Sequence, residues 1–98
     1  MEIIRHQINR DLEILEDTQL KGTIVGSTTV HPNIEFKLDG TVTGSVIVRE
    51  NGKVIIRGTV LKGLVNYGGD VEIYGVVRGK ISNQGGNILI DEDAITDK

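Results

Sequence analysis

The sequence predicts an all-β parallel β-helix, a β-solenoid of about five coils with about 18 residues each. Three observations carry this. Like residues fall into columns when the chain is shifted by 18 positions. Apolar residues alternate with period two inside each copy. Glycine-containing turn dipeptides separate the short runs.

The columns come first. Leu20, Leu38 and Ile56 share one, followed by Gly22, Gly40 and Gly58, then Thr23, Thr41 and Thr59, then Ile24, Val42 and Val60. Val30 aligns with Val48, Phe36 with Val54, and Gly26 with Gly44. The run Gly58-Thr59-Val60-Leu61-Lys62-Gly63 reads as one residue longer than Gly40-Thr41-Val42-Thr43-Gly44, and Gly75-Val76-Val77-Arg78-Gly79 as a return to the shorter form. Leu12 to Gly22 reads as a degenerate first copy.

Within the copies, Val46 alternates with Val48, Val54 with Ile56, Val71 with Ile73, and Ile88 with Ile90. Such alternation over short runs marks strands. Asp39-Gly40, Asn51-Gly52, Gly68-Gly69 and Gly85-Gly86 mark the turns between them. A helix in residues 20–90 is excluded by the β-branched content and by glycine, which costs a helix about 1 kcal/mol per residue. Each coil then divides into three short strands and three corners. Stacked coils pair at about 4.8 Å, and their aliphatic columns merge into one core. The outward columns Lys21, Asp39, Arg57 and Glu35, Lys53, Asp70 alternate in sign, as adjacent strands prefer.

Composition sets the limits. Ninety-eight residues hold one domain, and 3% aromatics leave Val, Ile and Leu to build the core. The absence of cysteine removes disulfide and thiolate chemistry. No apolar run approaches the roughly 18 residues of a membrane span, and no secretory signal is visible, so a cytoplasmic location is the expectation. A net charge of −3 with scattered basic residues argues against nucleic acid as a partner. Residues 1–19 are read as an N-terminal capping segment with the degenerate first coil, 20–90 as solenoid, and 91–98 as an acidic cap or tail. For Met1–Arg10 an added strand or a partner contact are the alternatives to a cap. The acid of Asp91-Glu92-Asp93 is expected to discourage head-to-tail stacking of copies.

Catalytic patterns are missing. His6 and His31 have no spaced His or Cys companion, so no zinc motif is present. The uneven inward spacing departs from the strict six-residue period of hexapeptide acyltransferases. Acids do not recur every nine residues as calcium-binding glycine-rich repeats require. No P-loop or dinucleotide fingerprint is present. No enzyme activity, cofactor or metal is expected. The outward apolar residues Val25, Ile55, Leu61, Tyr67, Tyr74 and Leu89 remain. Ile55, Tyr67, Tyr74 and Leu89 are the candidate protein-interaction surface, since tyrosine couples apolar area to a polar tip.

The motif Gly40-Thr41-Val42-Thr43-Gly44-Ser45-Val46 and its echoes over residues 20–90 resemble the bactofilins and related polymer-forming β-helix proteins. The resemblance implies a right-handed, roughly triangular β-helix that assembles end to end into scaffolding filaments without nucleotide. Membrane association is not expected, because no membrane-targeting N-terminal segment is visible. The expected partner is a protein, either a further copy of this chain or one dedicated partner. The alternative function is a small single-partner binder, such as a toxin-neutralising immunity protein.

Overall fold

The chain winds through one coil after another, each built from short strands that pair only with the coils before and after. A computed structural model describes residues 1–97. Coil 1 contains β1 (Glu2–Ile4), β2 (Gln7–Ile8) and β3 (Leu12–Ile14). Coil 2 contains β4 (Thr18–Leu20), β5 (Thr23–Ile24) and β6 (Thr28–Val30), and coil 3 contains β7 (Glu35–Leu38), β8 (Thr41–Val42) and β9 (Val46–Val48). Coil 4 follows with β10 (Lys53–Ile56), β11 (Thr59–Val60) and β12 (Leu64–Asn66). Coil 5 has β13 (Asp70–Ile73), β14 (Val76–Val77) and β15 (Ile81–Asn83), and coil 6 has β16 (Asn87–Ile90) and β17 (Ile95–Thr96). No helix occurs among the described residues.

These strands form three parallel sheets. The first runs β1-β4-β7-β10-β13-β16, the second β2-β5-β8-β11-β14-β17, and the third β3-β6-β9-β12-β15. The expected all-β parallel solenoid is therefore the observed fold, with two corrections. There are six coils rather than five, because residues 1–14 lay down a complete coil instead of folding over one. Of the readings of Met1–Arg10, the structure takes the added strand. The acidic C-terminal segment likewise makes a corner and then β17, which pairs with β14. Lys98, the last residue of that segment, lies outside the described residues.

Variation in coil length hid these terminal coils. Glu2 sits beside Thr18, a step of 16, whereas Thr18 sits beside Phe36 and Glu35 beside Lys53, both steps of 18. Lys53 then sits beside Asp70, and Asp70 beside Asn87, both steps of 17. Val76 sits beside Ile95, a step of 19. Up to that last step, every change of length falls at one edge of the prism, between the third sheet and the first. The extra residue expected near Gly63 is absent. Thr41 pairs with Thr59 and Val46 with Leu64, both 18 apart, so Gly63 stands beside Ser45 rather than Gly44.

The core follows from the alternation. Leu20, Leu38, Ile56 and Ile73 stack in the first sheet, and Ile24, Val42, Val60 and Val77 in the second, all fully buried. Phe36, Val54 and Val71 fill a second column of the first sheet, and Val46 and Leu64 belong to the third. Each such side chain contributes roughly 1.5–3 kcal/mol by leaving water. A coil buries its apolar face only against its neighbours, so the burial is collective. Three polar side chains share this interior in different ways. Asn66 is fully hydrogen-bonded and the Thr18 hydroxyl donates to the Glu16 carbonyl at 2.7 Å, whereas the Thr28 hydroxyl has no partner among the described residues.

Candidate interaction surfaces

The outer face of the first sheet carries the column Ile3, Gln19, Lys37, Ile55, Glu72 and Leu89. Ile55 and Leu89 share it, with Glu72 between them, so they do not form a continuous apolar strip. Ile55 is half-buried and Leu89 is exposed. Tyr67 and Tyr74 flank β13 at opposite ends, each on a different edge of the prism. The Tyr74 hydroxyl donates to Glu72 Oε1 at 2.8 Å, which ties it to the first sheet. That bond, followed by desolvation and by the charges of Glu72 and Asp91, raises its pKa above 10.0. Tyr67 instead borders a shallow depression with Thr29, Ile47, Arg49 and Glu50, on the third-sheet side. The four candidate residues are thus divided between two faces. Val25 and Leu61 lie exposed where the chain leaves the second sheet.

The remaining polar groups mostly serve the coils. His31 Nε2 lies 2.7 Å from Glu13 Oε1 on the exposed side of the third sheet. Arg57 Nη1 lies 4.0 Å from Asp39 Oδ1, within the sign-alternating column. Asp97 accepts from the Gly79 backbone N–H at 2.9 Å and from Arg78 at 3.0 Å. The Gly79 bond first, then Arg78, pulls its pKa below 3.8. Among the described residues, no three His, Cys, Asp or Glu side chains come together as a metal site, and no helix is long and apolar enough to cross a membrane.

The two end faces are the surfaces that reading by columns passed over. β1, β2 and β3 have a neighbour on one side only, and so do β15, β16 and β17. The core columns run out at these faces. Ile90 is 37% exposed, whereas Ile73, one coil earlier in the same column, is 0% exposed. Ile81 and Ile88 are only partly covered at this end, and Ile8 and Leu12 at the other. Glu2, Glu13 and Glu16 border the apolar depression of the N-terminal face around Ile4, Leu12 and Ile14. Unpaired edges beside open apolar columns are templates for another chain. The signal for them lay in Ile4, Ile8, Leu12 and Ile14, whose spacing of 16 to the next coil masks their columns. No protein-family model, curated protein or solved structure matches this chain.

Proposed function

We propose that this protein is a non-enzymatic scaffold of bactofilin-like type that self-associates through the end faces of its β-helix. One observation carries the reading: at both ends three sheet edges lack an outer neighbour, and apolar side chains beside them, Ile8 and Leu12 at one end and Ile81, Ile88 and Ile90 at the other, are only partly covered. Burying those side chains against an end face of another copy would remove apolar area from water, as stacking does between coils. The repeat resemblance points the same way. No cofactor and no reaction enter this reading.

Size-exclusion chromatography with light scattering, run over a wide concentration range and followed by electron microscopy, tests it. The expected result is a mass that rises with concentration. A single monomeric mass throughout would reject self-association. The second reading, a dedicated partner protein, is favoured by the depression beside Tyr67, where an aromatic ring and Arg49 share one exposed face. In that case Tyr67→Ala weakens partner capture and leaves the mass of the free protein unchanged.

A further inference from the structure

At the corner between the first and second sheets, one residue position repeats through the stack. His6, Gly22, Gly40, Gly58, Gly75 and Ala94 each stand immediately before a second-sheet strand. A Cβ on Gly22 would overlap the carbonyl oxygen of His6. A Cβ on Gly40, Gly58 or Gly75 would likewise overlap the carbonyl of the glycine one coil earlier. The missing side chain always points toward the preceding coil. Those same carbonyls accept the N–H groups of Thr23, Thr41, Thr59 and Val76, so they cannot move away without loosening the ladder.

Two members of the column do carry a Cβ, and they are the first and the last. At Ala94 the corner has lengthened to four residues, Asp91–Ala94, closed by the Ala94 N–H donating to the Asp91 carbonyl at 3.0 Å. The other corners of this edge have two residues, such as Arg57-Gly58 between β10 and β11. His6 has a Cβ on that short, two-residue corner. Its Cβ therefore occupies the place where the corner carbonyl of an earlier coil would lie.

We infer that His6 is a steric stop that prevents the N-terminal face from seating in register on the C-terminal face of a second copy. Head-to-tail addition is closed, and contacts between ends are left as like face to like face, which are two-fold symmetric. The stop rests on the glycine column alone; its use in assembly rests on the self-association proposed above. The columns of the first sheet would suit head-to-tail contact. Arg5 heads the column ending at Asp91 and Ile3 the column ending at Leu89, whereas the third sheet ends one coil earlier at β15, so Asp11 and Lys80 would stand a strand apart. The acid of the C-terminal end would thus meet a base at Arg5, and on the first and second sheets, where strands would meet, the His6 Cβ is the obstacle.

The chain has no cysteine, so an introduced thiol is unique. Ile3→Cys and Leu89→Cys chains are mixed under mild oxidation, with Lys37→Cys, midway along the same column, as the collision control. The experiment is run with His6, His6→Gly and His6→Ala, and circular dichroism melts establish that the variants fold. With His6 present, the mixed Ile3→Cys and Leu89→Cys disulfide is expected at the control rate. His6→Gly should raise it by about tenfold or more, because docking raises effective concentration. His6→Ala, which keeps the Cβ, should behave as the parent. A mixed disulfide above control with His6 in place overturns the stop but leaves end-to-end association standing. Equal rates for His6→Gly and His6→Ala also overturn it. A parent chain that is monomeric at every concentration defeats self-association, while a gain in His6→Gly alone would still support the stop.

Discussion

In coils 2 to 5 the edge between the third and first sheets is built in two ways. In coils 2 and 3 the corner has four residues, His31–Ile34 and Arg49–Gly52, and a buried valine, Val30 or Val48, stands before it. The turn is made by the backbone: Asn33 and Asn51 adopt left-handed φ values of 66° and 61°, which asparagine tolerates better than most residues. In coils 4 and 5 the corner has three residues, Tyr67–Gly69 and Gln84–Gly86, and asparagine replaces the valine. Asn66 Oδ1 accepts from the Gly69 N–H at 2.8 Å, and its amide donates to the Gly69 carbonyl at 2.9 Å. Asn83 bonds Gly86 in the same pattern, at 3.0 and 2.8 Å. One design places the strained residue outside and keeps the column apolar. The other shortens the corner and satisfies it with an amide, buried at Asn66 and exposed at Asn83. The sheets accept both because strand pairing constrains only the strands.

The largest test of this difference is to impose one design on the other. Asn66→Val gives coil 4 the residue of coil 3 without its corner, leaving the polar groups of Gly69 without their side-chain partner. Urea unfolding should show a loss of about 3 kcal/mol, from several unmade bonds of about 1 kcal/mol each plus desolvation. Next in size is a pair in one column. Gly69→Ala places a Cβ 2.5 Å from the Gly52 carbonyl and 2.7 Å from Val48 Cγ1. A loss of about 2 kcal/mol is expected from overpacking. In Gly52→Ala the nearest atoms, Arg49 O and Val48 Cγ1, are at 3.2 Å. That variant should lose less than about 1 kcal/mol. Equal losses for the two would refute the claim that the short corner alone needs a bare backbone.

Thr28 supplies a change of opposite sign. Like Asn66 it is a fully buried polar residue at an inward position, but its hydroxyl is unpartnered. Thr28→Val should raise the unfolding free energy by about 1 kcal/mol, because the buried hydroxyl is removed at constant shape. The smallest effect belongs to Asp97, an exposed side chain on the last coil. Its folded pKa is lowered, so its contribution is present above the unfolded value and is lost as pH falls through the folded one. Thermal melts should show the parent above Asp97→Asn at neutral pH, with the gap closing below about pH 4. A gap that persists at low pH would mean that the carboxylate charge is not its source.

How much of this was legible varies along the chain. The columns through Leu20, Leu38 and Ile56, and through Thr23, Thr41 and Thr59, stand in register in the structure because both steps between them are 18. The charge ladder of Lys21, Asp39 and Arg57 was readable for the same reason, and its last two members lie in salt-bridge range. Coil 1 was not, since its step is two residues shorter. Ile55, Tyr67, Tyr74 and Leu89 share an outward phase, which says nothing of which edge of the prism each occupies. Tyr67 and Tyr74 part company because four residues of β13 and the glycines of the corner lie between them.

Periodicity by itself determined the architecture. Alternation and turn residues are local, and stacking identical local units leaves one way to bury their apolar faces. Tertiary structure alone decided the rest: the number of coils, the place where each step lengthens or shortens, and the faces left open. It also decided which glycines are indispensable. Gly40 and Gly52 look alike in the chain, yet a Cβ on Gly40 would overlap a carbonyl one coil away, while one on Gly52 would not. The physical reason is that such a clash is set by a neighbour some 18 residues distant, brought within contact distance only when the coil closes.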